Sequence, residues 1–422
     1  MKTRLLNFTI TLLTLISLVG CNQKTKKMNN TAENILGNPD YLAISYGGYR
    51  QKSREIQPTI EELKEDMKIL AAMNIKILRT YNVQLQHAPN LLKAISQLKE
   101  EDPNFEMFVM LGAWIDCQNA WTELTPNHEI ESEFNGAEID RAVALAKQYP
   151  DIVKIIAVGN EAMVRWAESY YVQTNVILKW VNHLQKLKES GDLPATLWIT
   201  CSDDFSSWGG GDTSYRTPDL ENLIKAVDYV SMHTYPMHNS HYNPAFWVTP
   251  EQEENISDLQ KIETAMVRAK VFAMDQYHAV SNYVHSIAPN KPVHIGETGW
   301  ASLSDGHYAS NGSRATDEYK ESVYYNSLRE WTNEEKISCF YFEAFDEQWK
   351  DAEHPLGSEN YFGLINLKGQ AKYALWNLVE QGAFNGLTRD GQKITKTFNG
   401  DKEVMMKTVL APPTMQEMSI HH

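Results

Sequence analysis

Two glutamates in this sequence directly follow apolar runs, a placement that is costly unless the carboxylates are paired, solvated or functional. Glu161 ends the segment Val158-Gly159-Asn160-Glu161, and Glu297 follows Ile295 and Gly296. Glycoside hydrolysis requires such a pair. One carboxyl group must donate a proton to the leaving oxygen, while the other is ionised and attacks the anomeric carbon or activates water. The sequence therefore indicates Glu161 and Glu297 as candidate catalytic carboxylates.

Polar and aromatic side chains follow other apolar runs as well. Tyr81 comes after the second run and Tyr235 after the sixth. Aromatic rings stack on the faces of pyranoses, and phenol hydroxyls hydrogen-bond to sugars. The tryptophans that could stack are Trp114, Trp121, Trp166, Trp208, Trp247, Trp300 and Trp349. Trp300 and Trp349 are favoured, because each lies close after a candidate acid.

Other polar residues at strand ends have less defined roles. His233 could bond substrate or only the protein, and Arg79 could simply balance the charge of nearby carboxylates. Asp116, Asp203 and Asp204 lie in strand-end loops. We do not expect these three to take part directly in catalysis.

The pattern of the chain supplies elements that bring these residues together. From residue 39 onward, short apolar runs alternate with longer amphipathic ones, as in parallel strands covered by helices. Strands are predicted at Tyr41–Gly47, Ile75–Tyr81, Glu106–Ala113, Ile152–Val158, Thr196–Thr200, Val227–His233, Pro292–Gly296 and Ile337–Phe342. Helices are predicted at Thr59–Met73, which opens with a capping box, Asn90–Glu100, Glu138–Gln148, Ser169–Glu189, Pro218–Ala226, Asp258–Ser286, Thr316–Glu335 and Gln370–Gln381. Eight unbroken units predict an α/β fold, a single (β/α)8 TIM barrel over residues 39–387, with its active site at the C-terminal ends of the strands.

Composition and charge exclude several classes of protein. The 422 residues are 42% apolar and 22% charged, which is typical of a globular chain. The net charge of −15 argues against nucleic-acid binding, which relies on clustered lysines and arginines. Cys117, Cys201 and Cys339 have no metal-ligand spacing, so no metal site is predicted, and Cys201 and Cys339 are expected to be buried free thiols. Gly209–Gly211 lacks the spacing of a phosphate loop, and no cofactor is predicted.

The first residues have the pattern of a secretory signal. Lys2 and Arg4 precede a short apolar run, and Leu18-Val19-Gly20-Cys21 resembles the bacterial lipoprotein processing site. The resemblance implies a signal peptide over residues 1–20 and lipid attachment to Cys21, which would anchor the protein to the outer membrane of the bacterial cell envelope. Residues 21–38 are then predicted to be a flexible tether. Residues 388–422 form a polar tail that could pack as an extra strand or stay loose.

Beyond the signal sequence, the motifs resemble those of a known enzyme family. They are Ile156–Glu161, Gly296–Trp300, Tyr341–Lys350 and Tyr361–Asn366. Together they make the sequence similar to the family 17 glycoside hydrolases, the β-1,3-glucanases of plants, fungi and bacteria. The shared pattern covers roughly residues 41 to 380.

The resemblance implies a role for each matching residue. Glu161 would be the general acid/base and Glu297 the nucleophile of a retaining double displacement. Asn160 would bond the sugar 2-hydroxyl, Tyr235 would hold the nucleophile, and Tyr81 would contact sugar near the cleavage point. Glu347 and Lys350 match a pair kept near the acid/base, where the charge of Glu347 would help to keep Glu161 protonated. Glu343 and Trp349 match the fungal and bacterial form of the motif, with less defined roles.

The predicted activity is hydrolysis of laminarin-type β-1,3-glucan, with two alternatives. A β-1,3-glucanosyltransferase would use the same carboxylates, and a non-catalytic glycan-binding lipoprotein would not need them. The loops at 203–217 and 236–257 are long and could extend the cleft or close one end, so endo and exo action both stay open. So do pure and mixed linkages, and periplasmic or surface-facing attachment. The sequence does not indicate an oligomeric state.

Overall fold

A closed barrel of eight parallel strands forms the centre of the computed structural model, which describes residues 30–419. The strands are β1 (Leu42–Ser45), β2 (Ile75–Arg79), β3 (Phe108–Ala113), β4 (Val153–Asn160), β5 (Trp198–Asp204), β6 (Val230–His233), β7 (Val293–Gly299) and β8 (Cys339–Phe342). Strands adjacent in this order pair with one another, and β1 pairs with β8 to close the ring. Each strand overlaps a predicted run, so the (β/α)8 barrel is confirmed.

Helices surround the barrel and fill the connections. They are α1 (Ala32–Ile35), α2 (Ile60–Ala72), α3 (His87–Glu101), α4 (Asn135–Gln148), α5 (Thr174–Glu189), α6 (Pro218–Ala226), α7 (Pro236–Tyr242), α8 (Asp258–Ile287), α9 (Glu318–Glu334), α10 (Trp376–Glu380), α11 (Lys402–Met406) and α12 (Met415–Ser419). The capping box at Thr59 is confirmed, since Thr59 and Glu62 each accept a backbone hydrogen bond from the other. Within residues 30–419, no helix has both the length and the apolar character needed to cross a membrane.

The helix predicted over Gln370–Gln381 is mostly wrong. The segment begins as a short strand, Gln370–Ala371, and only Trp376–Glu380 is α-helical. Between them, the buried Lys372 donates to Asp346 Oδ1 at 2.8 Å and lies 3.4 Å from Glu321 Oε1. These ion pairs hold the segment extended against the end of β8, which local sequence propensity does not reveal.

The ordered fold begins earlier in the chain than the sequence indicated. Ala32, Ile35 and Leu36 are buried with inward side chains of the barrel strands, among them Ile77 and Phe340. The prediction of a flexible tether is therefore wrong for residues 31–38, because this short segment covers one end of the barrel core. The predicted signal peptide, Cys21 and residues 22–29 lie outside the described residues.

The C-terminal tail packs onto the barrel. Thr388–Arg389 and Gln392–Lys393 form a hairpin, and Thr395–Lys396 pairs with Gln370–Ala371. Arg389 is buried and donates to Asp66 Oδ1 of α2 at 2.9 Å. The tail thus adds a layer outside the barrel. Cys117, Cys201 and Cys339 are buried free thiols, as expected for the last two.

Candidate active site

Glu297 lies at the C-terminal end of β7 and is held by three donors. Tyr235 donates to its Oε1 at 2.6 Å, and Tyr81 donates to its Oε2 at 2.7 Å. Arg79, from the end of β2, forms an ion pair with the same Oε2 and also donates to Asn160 Oδ1. Tyr81 was expected to contact sugar, but its hydroxyl is aimed at this carboxylate. Donors from the ends of two strands, β2 and β6, therefore fix the position and charge of Glu297.

Glu161 follows β4 in a strained backbone conformation. Its φ is +46°, a left-handed value that costs a residue with a side chain about 1–3 kcal/mol and is frequent at functional sites. Its Oε1 lies 3.0 Å from Nδ1 of His233, whose Nε2 lies 2.8 Å from Ser202 Oγ. Burial lowers the pKa of His233 to about 4. A neutral imidazole, anchored from β5, therefore orients the Glu161 carboxyl group.

The two carboxyl groups face each other in opposite electrostatic environments. An oxygen of Glu161 and an oxygen of Glu297 lie within 4.8 Å of each other. Burial raises the pKa of Glu161 well above its ordinary value, and the charges of Glu297 and Asp204 raise it further. Burial alone would also raise the pKa of Glu297, but three kinds of neighbour lower it to about 2. They are Arg79, the His233 imidazole, which is charged only below its own pKa of about 4, and the two tyrosine hydroxyls. The environment of Glu161 thus favours its protonated form and that of Glu297 its ionised form, as general-acid catalysis beside a nucleophile requires.

Within residues 30–419, Glu161, His233 and Glu297 also form a group whose ligand atoms could surround a metal ion. The Glu297 oxygens already accept hydrogen bonds from Arg79, Tyr81 and Tyr235. The Arg79 guanidinium therefore supplies beside Glu297 the positive charge that a metal ion would supply.

A cleft of about 730 Å³ opens in front of Glu297. It extends along the ends of β8, β1, β2 and β3, and its wall includes Tyr49, Tyr81, Trp114, Asn160 and Trp349. A volume in this range accommodates a ligand of several rings. Aromatic, neutral polar and charged groups together therefore line the cleft in front of the ionised carboxylate.

Comparison with known proteins assigns the family. A model of the BtgE/BtgC glycoside hydrolase domain matches residues 43–363. The chain belongs to this glycoside hydrolase family. An endo-laminarinase from Formosa Hel1_33_131 is 64% identical in sequence, and its crystal structure matches with a TM-score of 0.90, covering 91% of this chain and 98% of that one.

Two more distant relatives match this glycoside hydrolase, one in structure and one in sequence. A family 17 β-1,3-glucanosyltransferase from Rhizomucor miehei matches with a TM-score of 0.54 at 19% identity, covering 79% of this chain and 96% of the other. A probable glucan endo-1,3-beta-glucosidase, btgC of Aspergillus flavus, is 22% identical over 376 residues, which are 84% of this chain and 46% of that protein. The chain spans about half the length of the curated relatives it matches.

In this glycoside hydrolase, the residues that follow β8 form a charged cluster at one end of the cleft. Lys350 Nζ lies 2.6 Å from Glu343 Oε1 and 3.8 Å from Glu347 Oε2. Glu347 also accepts hydrogen bonds from the Tyr49 backbone and the Trp349 indole, at 2.9 and 2.8 Å. A Cβ on Gly47 would lie 2.3 Å from Glu347 Oε1, so only glycine allows this approach. Four predicted residues are thus brought together.

Two expectations about the site are wrong. Glu347 is not among the main groups that raise the pKa of Glu161, since burial and the charges of Glu297 and Asp204 raise it instead. Trp300 offers no stacking surface, since it is fully buried and its indole donates to the Ala315 carbonyl at 2.8 Å. Trp208 and Trp247 are likewise buried in the core. A tryptophan after a strand end fits core and cleft equally well in sequence, and only packing separates them.

The loops that line the cleft differ from those predicted. Neither 203–217 nor 236–257 supplies a described residue to the cleft wall. Gly209 and Gly210 lie against Tyr283 and Val280 of α8 instead. The segment between β3 and α4 lines the cleft in their place, with Trp114, Trp121 and Phe134. In the sequence, only Trp114 and Trp121, two of the seven candidate tryptophans, pointed to this segment.

Proposed function

We propose that this glycoside hydrolase cleaves laminarin-type β-1,3-glucan within the chain by a retaining double displacement. The observation that carries the mechanism is the carboxylate pair, whose oxygens approach within 4.8 Å. Retaining enzymes hold their carboxyl groups about 5–5.5 Å apart, whereas inverting enzymes need about 6.5–9.5 Å to admit a water molecule. The close approach of these two oxygens fits the spacing of a retaining pair better than that of an inverting pair.

The roles of the two carboxylates follow from their protonation. Ionised Glu297 attacks the anomeric carbon, and protonated Glu161 donates its proton to the departing glycosidic oxygen. Glu161 is then the base that takes a proton from water as the glycosyl-enzyme ester is hydrolysed. Oε1 of Glu297 accepts one hydrogen bond, while Oε2 accepts from Arg79 and Tyr81. Oε1 therefore keeps a lone pair for attack.

Neighbouring groups would position the sugar. Asn160 is oriented by Arg79 and lines the cleft beside Glu297, where it would bond the 2-hydroxyl. Lys350, Glu343, Glu347 and Trp349 line the far end, where their polar atoms would bond further hydroxyls. Tyr235 and Tyr81 act on Glu297, and they keep it ionised in an otherwise buried site.

The substrate class is supported by the relatives. The Formosa protein that shares 64% identity over 91% of this chain is an endo-laminarinase. The transferase shares 19% identity and so supports the fold alone. Hydrolysis within the chain is therefore the proposed reaction, and membership of family 17 is the proposed classification.

The test follows anomeric signals by NMR and product sizes while the enzyme acts on laminarin. We expect β-anomers first, before mutarotation, together with a ladder of short oligosaccharides. Glu297→Gln should lower the rate by several orders of magnitude, because a neutral amide cannot form the ester intermediate. Products longer than the donor would show that the enzyme transfers glycosyl units rather than hydrolysing them. α-Anomers formed first would show that the mechanism is inverting rather than retaining.

We also propose that the protein is lipid-anchored in the bacterial cell envelope. The support is the short apolar run that ends in Leu18-Val19-Gly20-Cys21. Expression in a bacterium should place the full chain in the membrane fraction with a lipidated N-terminal cysteine, detectable by mass spectrometry. Cys21→Ala should abolish the modification and the membrane association, and an unmodified Cys21 in the full chain would overturn the proposal.

A further inference from the structure

Two large aromatic side chains are left exposed beside the cleft, in the segment that joins β3 to α4. Trp121 is 60% exposed and Phe134 is 69% exposed, and both line the cleft. Leaving apolar rings in water forgoes the free energy of burying them. An exposed apolar surface that is continuous with a ligand cleft is typical of a binding surface.

Trp121 is presented by a backbone that disfavours a bulky residue. Its φ is +60°, a left-handed value that is a rare outlier for an aromatic side chain. One face of its ring stacks on Tyr170, with centroids 5.0 Å apart and planes at 21°. The Trp114 ring lies near it at a tilt of 45°, with centroids 6.2 Å apart, and most of the Trp121 side chain is nevertheless exposed. Both the left-handed backbone and the exposure of the ring are unfavourable in free energy, and packing of the exposed part of the ring does not offset them.

The segment around Trp121 is braced rather than loose. Cys117–Gln118 pairs with Asn127–Glu131, which closes the excursion at its base. The Asn119 amide donates to the Thr125 carbonyl at 3.1 Å, and the Thr122 hydroxyl donates to the Asn119 carbonyl at 2.8 Å. The ring is thus held in place in advance, which lowers the entropy lost when a ligand stacks on it.

Polar groups accompany the rings, as recognition of a sugar requires. Asp116 accepts a hydrogen bond from the Trp114 indole at 3.3 Å, and its backbone carbonyl accepts one from the Asn135 amide at 2.9 Å. Glu138 and Arg141 form an ion pair in the same wall of the cleft. The combination of flat apolar faces and hydroxyl-bonding groups matches a pyranose, which has both kinds of surface.

At the opposite end of the same cleft, a second aromatic surface is present. Arg54 lies over the Trp349 ring at 4.2 Å, and Tyr49 contacts that ring edge-on. Glu297 and Asn160 line the same cavity as both aromatic surfaces. A cavity of about 730 Å³ with an aromatic surface at each end fits a chain of sugar units better than a single sugar.

From this geometry we infer that Trp121 and Phe134 form a remote subsite that binds additional glucosyl units of a long β-1,3-glucan chain. The subsite contributes only when the chain is long enough to reach it, so it selects polymer over short oligosaccharides. Trp121 supplies the stacking face, and Phe134 extends the apolar wall. This inference rests on the proposed function, because the occupant is the same polymer that Glu297 attacks.

The test compares kcat/KM for a β-1,3-linked trimer and for an octamer in variants of one loop. Trp121→Ala should lower the value for the octamer about 10-fold and that for the trimer less than about twofold. Trp121→Phe keeps an aromatic face and should restore most of the octamer activity. Leu124→Ala is the matched control, since Leu124 is 64% exposed in the same segment and does not line the cleft.

The outcomes separate this inference from the proposed function. Equal losses on trimer and octamer, or no loss on either, would overturn the remote subsite while leaving the proposed function intact. A wild-type enzyme that cleaves neither oligosaccharide nor laminarin would overturn the proposed function, and the subsite with it. Circular dichroism spectra and thermal unfolding of the variants, unchanged from wild type, would show that each effect arises in binding rather than in folding.

Discussion

At the scale of single residues, the site depends on giving two identical side chains opposite protonation states. Glu161 is removed from solvent and lies near the anions Glu297 and Asp204, and both conditions favour its protonated form. The neutral imidazole of His233 only orients it. Glu297 is more deeply buried but faces Arg79 and two phenol donors, which favour its charged form. The same carboxyl group is thus an acid on one strand and a nucleophile on another.

The pH dependence of kcat/KM follows from these environments. Activity requires ionised Glu297, so it falls as pH drops through the Glu297 pKa of about 2, and it requires protonated Glu161, so it also falls as pH rises through that raised pKa. Tyr235→Phe removes a donor to Glu297 and should shift the acid limb to higher pH, with a loss of roughly 10-fold or more at the optimum.

A pH–rate profile on laminarin checks this expectation. Tyr149→Phe is the control, because Tyr149 lies at the end of α4, where the chain enters β4, and should leave both limbs in place. An acid limb in Tyr235→Phe that coincides with the wild-type limb would contradict the role given to Tyr235.

At the scale of elements, strands were predictable and short capping segments were not. Each barrel strand is buried on both faces and so leaves a continuous apolar run in the sequence, and α2 announces its start through Thr59 and Glu62. The segment around Lys372, for which the sequence predicts a helix, is extended because Lys372 forms an ion pair with Asp346, which is distant in sequence. The pattern of residues near Lys372 in the sequence does not reveal such a partner. It also does not reveal which tryptophans are buried.

The N-terminal segment provides a test at this scale. Ile35 of α1 is fully buried, so Ile35→Ala should lower the free energy of unfolding by about 2–4 kcal/mol through lost burial and a residual cavity. Glu33→Ala, at an exposed position in the same helix, should change it by less than about 0.5 kcal/mol. Denaturant unfolding measures both, and equal values would contradict a role for α1 in covering the barrel core.

The C-terminal hairpin provides a second test. Arg389→Ala leaves Asp66 buried with one fewer cation, although Arg50 and Tyr46 still contact it, and should cost about 3 kcal/mol of stability. Lys393→Ala, exposed in the same hairpin, is the control. A loss for Arg389→Ala no larger than the control, measured by thermal unfolding, would show that the tail is not fastened through this ion pair.

At the scale of the whole molecule, a net charge of −15 is compatible with an uncharged polymer as substrate. Because neutral glucan has no charge to attract or repel, kcat/KM on laminarin should change by less than about twofold between about 0.05 and 0.5 M NaCl. A sulfated laminarin should be cleaved more slowly, and the deficit should shrink as salt screens the repulsion. A strong salt dependence on neutral laminarin would contradict this view of the surface.

The most direct test of the proposed mechanism is to trap the glycosyl-enzyme. A laminaribiosyl fluoride with fluorine in place of the 2-hydroxyl slows both steps, and its good leaving group lets the ester accumulate for peptide mapping by mass spectrometry. We predict one adduct, on the peptide that contains Glu297, and none in Glu297→Gln. An adduct on another residue, or an active enzyme that forms no adduct and releases α-anomers first, would contradict the proposed mechanism.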